Sequence, residues 1–129
     1  MENEFVSYTQ ALALEKLGFN EPVINVYDFK SKELVLNEDD EMIWSPVLPN
    51  NGATIAAPLY QQAFRFFREK YKQDYLIVPS GDSTGKTNGY YYEIVFDFSK
   101  ENIESESFKT YEEAESACLD ELIEITKKT

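Results

Sequence analysis

The fold is decided by residues 89–98, which read GYYYEIVFDF. Apolar or aromatic side chains occupy every second position from Tyr90 to Phe98, and Glu93 and Asp97 fall on the alternate positions. Successive side chains of a β-strand point to opposite faces of its sheet, so alternation over nine residues is typical of a half-buried strand. We therefore predict a strand with one face in the core and one face outside it.

Two hairpins follow from the neighbouring sequence. Residues 75–78 read YLIV and stop at Pro79, and the polar loop Ser80–Asn88 joins them to the alternating strand. Near the N-terminus, residues 23–27 and 33–36 are β-rich runs connected by a short polar segment. Runs of this kind separated by polar turn residues are typical of hairpins.

Three helices are predicted around these hairpins. Ser7 with Gln10 and Thr110 with Glu113 have capping-box spacing, and each opens an amphipathic segment. The first helix is expected over 8–17, and the second over 58–72, where Pro58 suits a first helical position. The third starts at Thr110. Both capped starts share the pattern F-x-[ST]-Y-x-[QE]-A, which indicates a repeated helix-start device or a duplication.

The predicted order is α-β-β-α-β-β-α, an α+β fold in which helices cover an antiparallel sheet of about four strands. A chain of 129 residues suits a single domain, 1–129. Cys118 is the only cysteine, so no disulfide can form within the chain, which fits a reducing compartment. No signal peptide or membrane-spanning run is visible, and we expect a soluble, cytoplasmic protein.

The net charge is −12, from 12 basic and 24 acidic residues. Such a charge disfavours binding to nucleic acid and to anionic membranes, and it favours a basic protein partner. The only basic stretch is 51–87, where five basic residues outnumber three acidic ones. Oligomeric state is left open by the composition.

Few residues of the sequence indicate catalysis or metal binding. The chain has no histidine, so it lacks the commonest general base and the commonest zinc ligand. Cys118 lies on the apolar stripe of the third helix, where a buried structural thiol is expected. We predict no catalytic residue, no metal and no cofactor.

Residues 81–87 read GDSTGKT and resemble a phosphate-binding P-loop. The P-loop has four residues between its glycines, and here there are three. It also leads into a helix whose N–H groups hold the phosphate, whereas the predicted strand follows here. A hairpin loop is the better interpretation.

The residues predicted to contact a partner are Trp44, the acidic run around Asp39 and Asp40, and the basic helix face with Arg65 and Arg68. Tryptophan and arginine are typical anchors of protein interfaces. The alternative is that Trp44 belongs to the core and that the charged residues form solvated faces or pair within the chain. The acidic run lacks the alternating ligands of a calcium loop.

A small-ligand binder or small enzyme is the second hypothesis. Its site would lie between the loops Pro46–Pro58 and Ser80–Asn88, with Lys86 and Tyr60 as polar groups. Direct binding of nucleic acid through the second helix ranks lowest because of the overall charge.

Residues 55–71 (IAAPLYQQAFRFFREKY), 108–115 (FKTYEEAE) and 117–119 (ACL) carry a resemblance. In these segments the chain resembles a group of short uncharacterised proteins of bacteriophages and mobile elements of Bacteroidota. The resemblance implies a setting, the cytoplasm of a host bacterium, and no mechanism or functional residue. In that setting we expect a small acidic, non-catalytic protein that engages a host or phage protein, for example as an inhibitor of a nucleic-acid-binding or defence protein.

Overall fold

The computed structural model describes residues 4–35, 54–96 and 101–128. These residues form a mixed α+β structure, which confirms the predicted class. They divide into two compact units, residues 1–63 and 64–129. In chain order the elements are α1 (Tyr8–Lys16), β1 (Asn25–Asp28), β2 (Leu34–Val35), β3 (Thr54–Ala57), α2 (Tyr60–Tyr71), β4 (Gln73–Gly81), β5 (Thr87–Phe96), β6 (Ile103–Glu104) and α3 (Tyr111–Lys127).

The first unit contains an antiparallel sheet with the strand order β2-β1-β3. The predicted hairpin is confirmed, since Val26 of β1 lies opposite Val35 of β2. Val26 also lies opposite Ala56 of β3, a strand that the prediction had placed inside a loop. β3 forms because β1 has a second edge of backbone N–H and C=O groups, and these need partners when they are buried.

Helix α1 confirms the predicted capping box. The Ser7 hydroxyl accepts from the Gln10 N–H at 3.1 Å, and the Gln10 side chain accepts from the Ser7 N–H at 2.9 Å. Leu14 is fully buried against the unit's core, and the Tyr27 hydroxyl donates to the Val6 carbonyl. The cap therefore fixes the helix start while the apolar stripe holds the helix on the sheet.

Helix α2 begins at Tyr60, two residues later than predicted. Pro58 lies before the helix, and its carbonyl accepts from the Val6 N–H at 3.0 Å. The Leu59 N–H donates to the Gln62 side chain at 3.0 Å, which satisfies a free donor at the helix start. After Tyr71 the chain leaves the helix at Lys72, whose φ is 57°.

The second unit holds an antiparallel sheet with the strand order β4-β5-β6. The described residues thus carry two sheets of three strands, whereas the sequence predicted one sheet of about four. The two strands missed, β3 and β6, lack the alternation that identified β5. Their pairing with a longer neighbour stabilises them.

Strand β4 does not stop at Pro79 as predicted but continues to Gly81. Tyr90 exchanges backbone hydrogen bonds with Phe108, at 2.8 and 2.6 Å, so its N–H and C=O point away from β4. Pro79 lies opposite Tyr90 and therefore has its own backbone groups on the outer side of an edge strand. A proline is tolerated there because no ladder hydrogen bond is lost.

Helix α3 packs on β5 and β4. The Thr110 hydroxyl caps it by accepting from the Glu113 N–H at 3.1 Å, which is one half of the predicted capping box. Gly89 precedes the bridge to Phe108 and needs to be glycine, because a Cβ there would lie 2.6 Å from the Phe108 carbonyl oxygen. This close approach brings the start of α3 against β5.

Candidate functional site

The β4-β5-β6 sheet has two different faces. Tyr75, Tyr92 and Ile94 lie on the face beneath α3, and Ile94 is fully buried. Phe64 of α2 stacks on Tyr75 with a centroid distance of 3.7 Å, so aromatic rings also fill this face. We call it the covered face.

The opposite side of the same strands is named the open face. Its members are the alternate residues of the strands, Asp74, Leu76, Val78, Tyr91, Glu93, Val95 and Glu104. Leu76 is 52 % exposed although it lies in the middle of a nine-residue strand. Val78, Tyr91 and Val95 are half-buried. Together with Leu76 they are the outward-facing apolar side chains of this face, and we call them the apolar strip.

Two carboxylates stand side by side at the border of this strip. Glu93 lies opposite Leu76 on one side and opposite Glu104 on the other. The Asn102 amide donates to the Glu93 carboxylate at 2.9 Å. Like charges directly across a strand pair destabilise a sheet, and among the described residues neither glutamate forms an ion pair. The repulsion between Glu93 and Glu104 therefore works against the stability of the sheet.

One end of the open face merges into a groove of about 300 Å³ lined by Arg68, Lys72, Asp74, Val95 and Phe96. Arg68 lies 4.0 Å from the Asp74 carboxylate, and both side chains are about half exposed. An ion pair as exposed as this contributes little stability. The groove thus adds two cations to one end of a surface that is otherwise apolar and acidic.

The outer edge of β4 is chemically blocked at two positions. Alternation along the strand places the backbone groups of Tyr75, Ile77 and Pro79 outward. The Asp74 carboxylate accepts from the Tyr75 N–H at 2.8 Å, and Pro79 has no N–H. An incoming strand finds a free N–H only at Ile77 within this stretch, so the face is a better contact surface than the edge.

The P-loop-like segment is the turn between β4 and β5. The Asp82 carboxylate accepts from the Thr84 hydroxyl, from the Thr84 N–H at 2.9 Å and from the Lys86 N–H at 3.1 Å. These bonds, the Thr84 hydroxyl first, hold the pKa of the Asp82 carboxyl below its usual range. The donors that could cradle a phosphate are therefore already engaged by a carboxylate of the chain, and the strand that follows confirms the hairpin interpretation.

The thiol of Cys118 is fully buried beneath the sheet, which confirms the burial expected for it. Burial, with the nearby Glu115 and Glu121 carboxylates, raises the pKa of this thiol above its usual value. A thiol that stays protonated is a poor nucleophile. No group of three or more potential metal-ligating side chains occurs within residues 4–35, 54–96 and 101–128.

The predicted partner residues divide into two groups. Trp44, Asp39 and Asp40 lie outside the described residues, and so does the acidic run to which the aspartates belong. Arg65 and Arg68 are exposed on α2, and Arg68 lines the groove. Of the two described residues in this set, Arg68 lies beside the open face.

The residues of the ligand hypothesis lie in different units. Tyr60, in the first unit, is 9 % exposed, and its hydroxyl donates to the Gln10 side chain at 3.1 Å. Lys86, in the second unit, is exposed in the β4–β5 turn. Residues 54–57 of the predicted Pro46–Pro58 loop form β3, and residues 46–53 lie outside the described part of the chain.

The alternation of β5 separates Tyr91, Glu93 and Val95 from the opposite side of that strand, as the structure has them. Sequence reasoning missed the open-face residues of β4 and β6, because Leu76 and Val78 stand in a continuous apolar run. The signal that could have separated them is Pro79. A proline within the run argues for an edge strand, and edge strands are commonly apolar on one face only.

The chain matches no known protein-family model, no curated protein and no solved structure. Within the part of the chain that the structure describes, no helix is both long and apolar enough to cross a membrane.

Proposed function

We propose that this chain is a small, acidic, non-catalytic binding protein whose open face docks on a basic protein. One observation carries the proposal: the Glu93–Glu104 pair borders an apolar strip centred on Leu76, which is 52 % exposed. Both features work against folding or leave it unaffected. A partner that brings apolar side chains and a cation would satisfy both of them.

The chemistry of the partner follows from the charges. A lysine or arginine placed between Glu93 and Glu104 relieves their repulsion and forms charge-assisted hydrogen bonds. Apolar side chains of the partner cover Leu76, Val78 and Tyr91, and tyrosine is typical of interface centres. The net charge of −12 steers a basic protein toward the surface at low ionic strength.

The biological setting is also a proposal, resting on the resemblance of residues 55–71, 108–115 and 117–119. A bacteriophage or mobile element of Bacteroidota would place the protein in a host cytoplasm. Proteins that bind nucleic acid carry basic surfaces, so an inhibitor of such a host or defence protein suits the acidic open face. Direct binding of nucleic acid by this chain is disfavoured for the same electrostatic reason.

The test is affinity capture from cells that naturally carry the gene, at low and at high salt, with the wild type and with Glu93→Gln/Glu104→Gln. We expect capture of a basic protein that weakens with salt, and at least about tenfold weaker binding of that purified protein by the variant. The variant should fold at least as stably as the wild type because a repulsion is removed.

A matched control is Glu112→Gln/Glu113→Gln, which makes the same change in net charge at exposed positions on α3, the helix of the covered face. If the control weakens binding as much as the open-face variant, overall charge alone accounts for the interaction. Failure to capture a protein at either salt concentration contradicts the proposal.

Small-ligand binding is the second candidate, now favoured at the groove more than between the two loops named earlier. Arg68, Lys72 and Asp74 offer charges of both signs beside Val95 and Phe96. A thermal-shift panel of nucleotides and metabolites tests it, since a ligand that binds only the folded state raises the melting temperature. A shift that disappears in Arg68→Ala supports the groove, and no shift with any compound removes this candidate.

A further inference from the structure

The turn between β1 and β2, residues 28–33, is fixed by its own hydrogen bonds. The Asp28 carboxylate accepts from the Lys30 N–H at 2.8 Å and from the Ser31 N–H at 3.3 Å. The Asp28 carbonyl accepts from the Lys32 N–H at 2.8 Å, and the Asp28 N–H donates to the Glu33 carbonyl at 3.0 Å. A carboxylate that binds the backbone of the following residues is an effective organiser of a turn.

Lys32 adds a second constraint. Its φ is 62°, in the left-handed region that residues other than glycine seldom adopt. Its ammonium lies 5.7 Å from the centre of the Tyr8 ring, and Tyr8 meets Tyr27 edge-on at 5.7 Å. A cation over an aromatic face is attracted to it, so the side chain ties the turn back to α1.

At this fixed turn the ring of Phe29 is 49 % exposed. The turn hydrogen bonds involve the backbone and the Asp28 carboxylate, so they do not require an aromatic side chain at position 29. Lys30 is the residue after Phe29, and Lys32 lies three residues after Phe29. Among the described residues Lys30 forms no ion pair. Val35, in the following strand, is 42 % exposed.

We propose that the β1–β2 turn is a second contact surface, at which Phe29 inserts into an apolar pocket of a protein partner and Lys30 meets a carboxylate at its rim. An aromatic anchor held on a preorganised turn loses little conformational entropy on binding, and such anchors dominate interface energetics. This surface lies in the first unit and does not depend on the open face.

The test replaces Phe29 by the photo-reactive analogue p-benzoylphenylalanine in the full chain, expressed in cells that naturally carry the gene. We expect irradiation to cross-link one identifiable protein at position 29. The purified protein should bind the wild type, and Phe29→Ala should weaken that binding at least about tenfold. Lys30→Glu should also weaken it, and more strongly at low salt than at high salt.

Two controls keep the test specific. The same analogue at the exposed Gln61 reports non-specific cross-linking. Leu76→Ala removes an exposed apolar side chain of the open face and should leave cross-linking at position 29 unchanged. The proposal is overturned if position 29 gives no more cross-linking than position 61, or if the analogue at position 29 cross-links only to a second copy of this chain. It is also overturned if Phe29→Ala binds the purified partner as well as the wild type does. A folding defect in Phe29→Ala, seen as a lower melting temperature, would assign the ring a structural role and overturn it as well.

Discussion

The two faces of the β4-β5-β6 sheet are built from alternate residues of the same strands, yet they differ in how far their side chains are buried. On the covered face Ile94 is 0 % exposed, and on the open face Leu76 is 52 % exposed. Both side chains are branched aliphatic groups of similar size. Alternation of side chains along a strand therefore shows that two faces exist, while the elements packed around the sheet decide which face becomes core.

The comparison is tested most strongly by truncating one residue on each face. Ile94→Ala leaves a cavity beneath α3 and should lower the free energy of unfolding by about 2–5 kcal/mol. Leu76→Ala removes a side chain that is already half in water and should change it by no more than about 0.5 kcal/mol. Urea denaturation measures both. Equal losses would mean that the open face is part of the stabilising core.

Gly89→Ala is expected to have the next largest effect, because it separates α3 from the sheet that the helix covers. The new Cβ would lie 2.6 Å from the Phe108 carbonyl oxygen and 2.5 Å from the Ser107 hydroxyl. Such overpacking typically costs about 1–3 kcal/mol. Gly81→Ala is the control, since its Cβ would come no closer than 3.4 Å to the Lys86 carbonyl oxygen. Thermal unfolding of the two variants should show the larger loss for Gly89→Ala.

A third variant removes the chemical block on the edge of β4 and leaves Leu76, Val78, Tyr91 and the Glu93–Glu104 pair of the open face unchanged. Asp74→Ala/Pro79→Val frees the Tyr75 N–H and adds an outward N–H at position 79. An edge with these donors pairs readily with another edge, so we expect stronger self-association than in the wild type, measured by sedimentation at several concentrations. Glu112→Ala, which removes a negative charge without freeing a backbone donor, should behave as the wild type. Unchanged association in the double variant would show that the edge is protected in another way.

The smallest predicted effect is on the free energy of unfolding, and it occurs only at alkaline pH. Burial, together with neighbouring acidic groups of α3, raises the pKa of both Tyr75 and Tyr92 to about 12. An unfolded tyrosine has a pKa of about 10, so the folded chain holds these protons more tightly. Their contribution to stability is complete below pH 10 and is lost as the pH rises through 12. Denaturation at increasing alkaline pH checks this, and Tyr75→Phe/Tyr92→Phe should have a weaker pH dependence in that window.

Sequence reasoning recovered the elements that local chemistry specifies. Ser7 and Thr110 cap α1 and α3 because their hydroxyls reach the N–H groups of the first turn. The shared motif also places Tyr8 and Tyr111 edge-on against a strand tyrosine in each unit, at 5.7 and 5.8 Å. The two helix starts therefore use the same local device, and the wider question of duplication stays a prediction.

The strands β3 and β6 and the open face could not be predicted in the same way. A short strand such as Ile103–Glu104 is stabilised by its neighbour β5, and pairing between distant segments leaves no local signal. The Glu93–Glu104 pair depends on the same long-range register. Its position beside Leu76 follows from the order of strands in the sheet, which alternation alone does not determine.

The Asp82 carboxylate determines whether the turn between β4 and β5 can bind an external anion. This carboxylate behaves as a tethered competitor, since a dissolved phosphate would have to displace an anion held at high effective concentration by its own backbone. Asp82→Gly would free the Thr84 and Lys86 amides from this carboxylate. One side chain therefore both organises the turn and keeps an external anion away from its backbone donors.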